Sequence, residues 1–259
     1  MSNRYTIYQI EVMLADLKKA VTEKLPFSVV CLGDAEQIFL ACPEVDTINN
    51  LDMYLKVSGV DSSMTELKKE IIKLLPNNDY IFTHTLDHKD CDARVGKIDW
   101  AKFFYMYPEI FEYYKISGIK LLTKVSLRYG MVTDGRFFNT IAGSKVLLVG
   151  FYAPEVEKRM QNQEFIDYYK KMNLDKIEIV GSIGCSESGK VGNEVYDMLE
   201  QTKKFDYDVA LLAMGIPSTY LGPKIREQGK IAIDIGHIMS ALAGKGEKHR
   251  SYINEFDFD

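Results

Sequence analysis

Two short segments carry residue types that can do chemistry together: Gly33-Asp34-Ala35-Glu36 near the start of the chain and Asp234-Ile235-Gly236-His237 near its end. In the first, two carboxylates two residues apart follow an apolar run. They can both reach one hard cation, and Mg²⁺ or Mn²⁺ prefers carboxylate oxygen while keeping positions open for substrate phosphate. The same residues also suit a structural task. Asp34 can be the N-cap of a helix through Gln37-Ile38-Phe39-Leu40, with Glu36 in its first turn near the positive end of the dipole. Spacing leaves both readings open. In the second segment an acid and a histidine, released by a glycine, can bind a ribose, a phosphate or a metal, or exchange protons near neutral pH. A histidine in a turn is more often a structural donor, and only its neighbourhood raises its standing.

A third segment, Gly184-Cys185-Ser186-Glu187-Ser188-Gly189-Lys190-Val191, nearly spells a P-loop. That pattern ends in Ser or Thr, whose hydroxyl meets Mg²⁺, and Val191 has none. The loop can still receive a phosphate on backbone N–H groups and Lys190, or be an ordinary connection. His84, His88 and Cys91 have a spacing that zinc can use, but a structural site needs about four ligands and only Asp87, Asp90 and Asp92 are near, so we read a polar loop. Phe151-Tyr152-Ala153-Pro154 after Gly150 lacks the glycines of a dinucleotide fingerprint, which disfavours a nicotinamide or flavin dehydrogenase.

These segments must be positioned by regular elements. Ile7, Ile10, Leu14, Leu17 and Val21 form one apolar stripe of an amphipathic N-terminal helix within residues 1–24, packed on the domain or, in the sharper reading, making a homodimer contact. Pro26 stops it, and Phe27 to Leu32 reads as a buried strand ending at Gly33. A helix from Leu67 to Leu75 leads into a strand Tyr80-Ile81-Phe82, and the aromatic stretch from Trp100 to Tyr114 reads as helical core. Over residues 145–244 the apolar runs Val146–Val149, Ile177–Val180, Val209–Met214 and Ile231–Ile233 alternate with helical stretches, the mark of βαβ units. The expected fold is α/β, a Rossmann-like, mostly parallel sheet with flanking helices in one domain spanning 1–259. Gly33, Gly150, Gly181, Gly215 and Gly236 stand at or just beyond run ends, where open sheets bind ligands.

Composition narrows the function. The 259 residues carry 32 Lys plus Arg against 37 Asp plus Glu, a net charge of −5, without the basic footprint of a nucleic-acid binder. No stretch approaches the roughly 18 apolar residues of a transmembrane helix, and Met1 to Tyr5 lack a signal-peptide core, so a cytoplasmic protein is expected. Cys31, Cys42, Cys91 and Cys185 are widely spaced, as free thiols in a reducing compartment would be.

Taken together, the segments resemble the bacterial GT-D fold glycosyltransferases, which share G-D-x-E near the N-terminus and A-I-D-I-G-H near the C-terminus. Here these are Gly33-Asp34-Ala35-Glu36 and Ala232-Ile233-Asp234-Ile235-Gly236-His237. Between them Ala213-Met214-Gly215-Ile216-Pro217-Ser218-Thr219-Tyr220-Leu221 is similar to the family's A-L-G-P-T-A-T-V-L, its proline one position displaced, and Arg128-Tyr129 is similar to its R-P-Y. The chain departs from the family at Cys31, where an arginine is usual, and at Met239-Ser240-Ala241-Leu242, where acidic and aromatic residues are. The resemblance implies a GT-D type fold and transfer of a sugar from a nucleoside diphosphate, UDP foremost, to a glycan or glycoprotein acceptor. It implies a divalent metal, Mn²⁺ or Mg²⁺, at Asp34 and Glu36 as the catalytic pair, and donor contacts from Gly33, Arg128, Gly215, Asp234, Gly236 and His237. The competing readings are a P-loop-like phosphotransferase or hydrolase and a non-catalytic nucleotide-sugar binding subunit.

Overall fold

The computed structural model describes residues 5–41, 58–60, 63–83, 106–123, 126–186 and 191–245. Its elements run β1 (Tyr5–Tyr8), α1 (Ile10–Glu23), β2 (Phe27–Leu32), α2 (Asp34–Ala41), α3 (Thr65–Leu74), β3 (Tyr80–Thr83), α4 (Met106–Tyr113) and β4 (Ile119–Thr123). They continue with α5 (Ser126–Thr133), α6 (Arg136–Thr140), β5 (Lys145–Gly150), α7 (Ala153–Met160), α8 (Gln163–Tyr168), β6 (Glu178–Ile183), α9 (Val191–Thr202), β7 (Val209–Ala213), α10 (Pro217–Glu227), β8 (Ile231–Asp234) and α11 (His237–Leu242). The described strands form one sheet in the order β1-β4-β3-β2-β8-β7-β5-β6, parallel at every pairing.

A parallel strand covered on both faces reads as a continuous apolar run, and β2 is buried along its whole length. Its side chains alternate between two cores. Val30 and Leu32 join residues of α2, α3, α4, α9 and α10, whereas Val29 and Cys31 join those of α1, α5, α6, α7, α8 and α11. The division follows the direction of the chain. Connections stepping leftward in the strand order (β2 to β3, β3 to β4, β6 to β7, β7 to β8) place helices on the first face, and those stepping rightward (β1 to β2, β4 to β5, β5 to β6) place them on the second. A single hand for all crossovers requires that arrangement.

Two expectations change. Residues 5–8 are a strand and the helix starts only at Ile10. Tyr5-Thr6-Ile7-Tyr8 is rich in β-formers and pairs with β4, so Ile7 leaves the helical stripe and is 55% exposed at the sheet edge. Ile10, Leu14 and Leu17 are buried in the second core, so the stripe packs on the domain, the first of its two readings. Gly181 lies within β6, not at its end. The register shifts between Val146 and Leu147, and a Cβ at Gly181 would meet the Phe205 ring at 2.4 Å.

Two contacts seat α10 over the centre of the sheet. At one end Arg226 Nε and Nη2 bond Asp79 Oδ2 and Oδ1 at 2.7 and 3.3 Å, and Asp79 Oδ2 also accepts the Ser28 N–H at 2.9 Å. In the middle Gly222 lets the helix approach β2, because a Cβ there would lie 2.6 Å from Val30 Cγ1. A branched side chain at this point overpacks the core; Gly222→Leu is therefore expected to lower stability by about 1–3 kcal/mol in urea unfolding, despite leucine's better helix propensity.

Candidate active site

Strands β2 and β8 are neighbours at the middle of the sheet, with Phe27, Ser28 and Val29 opposite Ile231, Ala232 and Ile233. The chain leaves β2 toward the first face through α2 and leaves β8 toward the second through α11. Adjacent strands whose connections part to opposite faces open a crevice at their carboxyl ends, the usual ligand position in open α/β sheets. The two segments singled out by residue type stand on its two sides.

On the β2 side, α2 begins at Asp34, so the cap position falls to Gly33 and Asp34 is the first helical residue rather than the N-cap. Glu36, at the third helical position, reaches back and accepts the buried Gly33 N–H on Oε2 at 2.7 Å. This is one half of a capping box, the half that glycine cannot return. Glu36 is 7% exposed and so is held in a defined place. A carboxylate has about four lone-pair sites, so the cap does not by itself take Glu36 away from a cation.

On the β8 side, Asp234 is 3% exposed and uses both oxygens on backbone. Oδ2 accepts the Cys31 N–H at 3.2 Å and Oδ1 accepts the Gly236 N–H at 2.9 Å. The Gly236 N–H also approaches the Leu212 carbonyl of β7 at 3.3 Å. Gly236 has φ +51° and ψ −130°, a conformation that a side chain would strain. His237 follows as the first residue of α11 and is exposed. The seam thus gathers Gly33, Asp34, Glu36, Asp234, Gly236 and His237.

The other expected contacts lie elsewhere. Gly215, φ +66°, makes room for the chain itself, since a Cβ there would sit 2.7 Å from the Ser58 carbonyl, which accepts the Ile216 N–H at 3.2 Å. Arg128 stands in α5, which follows β4, and β4 is separated from β2 by β3. Of the P-loop-like segment, residues 187–190 lie outside the described residues. Ser186 donates its N–H to Glu194 Oε2 at 3.0 Å and its hydroxyl to Oε1, so a carboxylate occupies donors that a phosphate would need. Burial, and then the Glu194 carboxylate, pushes the Cys185 thiol up to about 12. His84, His88 and Cys91 also fall outside the described residues, and among those described no group of three or more His, Cys, Asp or Glu is arranged to hold a metal. Residue typing passed over Thr83, which closes β3 opposite Leu32 and is 5% exposed; a polar residue ending an apolar run was its only signal.

With this geometry in hand the comparisons are informative. The family model described as a GT-D fold-like domain matches residues 8–242. One similar solved structure, a selenomethionine-substituted domain of unknown function 1792, is 16% identical with a TM-score of 0.58, covering 92% of this chain and 80% of that one. A second, described as a highly conserved domain of unknown function 1792 with a distinct glycosyltransferase fold, is 15% identical with a TM-score of 0.57 over the same shares, 92% and 80%. A third, described as a new glycosyltransferase from Streptococcus sanguinis, is 16% identical with a TM-score of 0.56, covering 98% of this chain and 93% of that one. At these identities the likeness is one of fold. No curated protein matches the chain.

Two outcomes are expected. Asp234→Ala removes the acceptor of the Cys31 N–H and leaves the Gly236 N–H only its longer approach to the Leu212 carbonyl, and should cost about 1–3 kcal/mol in urea unfolding, with Asp234→Asn, which keeps one acceptor oxygen, near half of that. Cys185, protonated at neutral pH, should be alkylated by iodoacetamide at pH 8 far more slowly in the native than in the unfolded chain, as read by peptide mapping of that residue.

Proposed function

The chain belongs to the GT-D-like family, and from that premise we propose that it is a glycosyltransferase that takes a sugar from a nucleoside diphosphate, UDP foremost, and passes it to a glycan or glycoprotein acceptor. The reading includes a divalent cation, Mn²⁺ or Mg²⁺, at Asp34 and Glu36. The observation that supports it most is the meeting of residues 33–36 and 234–237 across the seam between β2 and β8. By donor chemistry the first turn of α2 fits a hard cation, since it offers carboxylate oxygen and Glu36 is already held in place by the Gly33 N–H.

When bound, such a cation supplies countercharge to the departing diphosphate. The chain's own residues do the rest. Asp34 and Glu36 bind at the diphosphate end of the crevice, and Gly33 keeps the turn short enough for close approach. Asp234 sets the distance between the two sides through the N–H groups of Cys31 and Gly236. His237, at the exposed start of α11, presents an imidazole toward the ribose or sugar. Among the described residues no helix is long and apolar enough to cross a membrane. The free thiol of Cys185 suits the cytoplasmic location that completes the proposal.

Calorimetry or thermal shift with UDP, UDP-sugars, ATP and NAD, each with Mn²⁺ and with chelator, tests the reading. UDP with Mn²⁺ at about 100 times its dissociation constant should stabilise the protein by about 2.7 kcal/mol, and chelator should remove most of that. Asp34→Ala and Glu36→Ala should each reduce turnover roughly 10²–10³-fold, the usual size of one lost electrostatic stabiliser. A response to ATP with none to UDP overturns the proposal. UDP binding with neither hydrolysis nor transfer over a panel of acceptors turns it into the non-catalytic binding subunit.

A further inference from the structure

Among the described residues, the Thr83 Oγ1 and Ser144 Oγ hydroxyls are buried without a hydrogen-bond partner. Ser144 lies just before β5, at the amino end of the sheet. Thr83 alone is at the carboxyl edge. It closes β3 and is paired with Leu32, the residue before Gly33. Side-chain alternation puts it on the same side as Ile81 and Leu32, the face against which Ala35, Phe39 and Leu40 of α2 pack. Its hydroxyl therefore stands beside the turn that carries Asp34 and Glu36.

Packing does not account for a hydroxyl there. Valine has the same branching and nearly the same shape, with nothing to desolvate, whereas an unpartnered buried hydroxyl is penalised in the folded state. A buried polar group without a partner calls for an explanation, and at a ligand edge a bound ligand supplies one.

We propose that Thr83 is a binding residue of the donor site, its hydroxyl hydrogen-bonding the nucleoside diphosphate once that ligand is seated between α2 and the carboxyl end of β3. The inference rests on the donor reading given above and adds to it a contact one strand beyond the seam.

The test compares the full chain with Thr83→Val and Thr83→Ser, measuring the melting midpoint without ligand and UDP affinity in Mn²⁺ by calorimetry. Thr83→Val should melt at or above the parent midpoint yet bind UDP roughly tenfold more weakly, the size of one lost hydrogen bond. Thr83→Ser, which keeps the hydroxyl, should bind within about threefold of the parent, a loss smaller than that of one hydrogen bond. If the parent binds UDP and Thr83→Val binds it equally well, Thr83 is not a contact and the donor reading survives without it. A midpoint several degrees lower in Thr83→Val shows that the hydroxyl is satisfied inside the protein and overturns the inference. If the parent binds no UDP at all, the donor reading fails and this inference falls with it.

Discussion

Beyond Val29 and Ile233 the ladder between β2 and β8 is continued by a side chain. One residue further along β8, the buried carboxylate of Asp234 accepts the Cys31 N–H on one oxygen and the Gly236 N–H on the other. These two bonds do what a further rung of backbone could not. They close the sheet between strands that come from opposite ends of the sequence, and at the same point they turn the chain out of β8 through the unusual backbone of Gly236. A buried carboxyl group is tolerated in such a place only when its oxygens are bonded, and here each is. The group thus ties the strand that leads to Gly33 to the turn that leads to His237.

The position of the seam follows from chain direction. Strands β1 to β4 make one half of the sheet and β5 to β8 the other, so β2 and β8 meet only because α10 carries the last strand back against the first half. Gly222 against Val30 and the Arg226–Asp79 pair fix that return at the middle and at the amino end of the sheet. The helices after β2 and β8 then part to opposite faces, because crossovers of one hand send leftward and rightward steps to different sides. An open carboxyl edge between them is a consequence of topology before any residue type is considered.

Sequence patterning made the sheet readable where strands are buried on both faces. The run Phe27 to Leu32 is the strand observed, and the runs near 146, 209 and 231 differ from the observed strands only at their ends. It missed β1 and β4, which pair with each other at one side of the sheet. In β1 the spacing of Ile7 from Ile10 happens to fit a helical stripe, and β4 is a run of five residues containing a lysine. Of the candidate site, the two segments and their meeting were legible from residue types at strand ends. The roles within them were not, because a carboxylate at a strand end looks the same in sequence whether it faces solvent or bridges two N–H groups. Gly215 shows the same limit. Its glycine is required, but by the crossing of Ser58, a contact between positions far apart in the chain.

Position 31 gives the departure from the family pattern a physical meaning. Its side chain points into the second core, among residues that include Ile238 and Met239 of α11, while its N–H faces Asp234. A buried thiol fills that space without charge. An arginine there would add a cation beneath the crevice, close to the one carboxylate that holds the seam together. With Cys31 in its place, Asp234 is committed to backbone, and countercharge for an anionic donor has to come from other groups. The chain as a whole carries −5 and cannot supply it by a general positive field. On the proposed reading it comes from the N–H groups of the first turn of α2 and from a cation held at Asp34 and Glu36. On the proposed reading the loss of the arginine therefore makes the activity more dependent on bound metal.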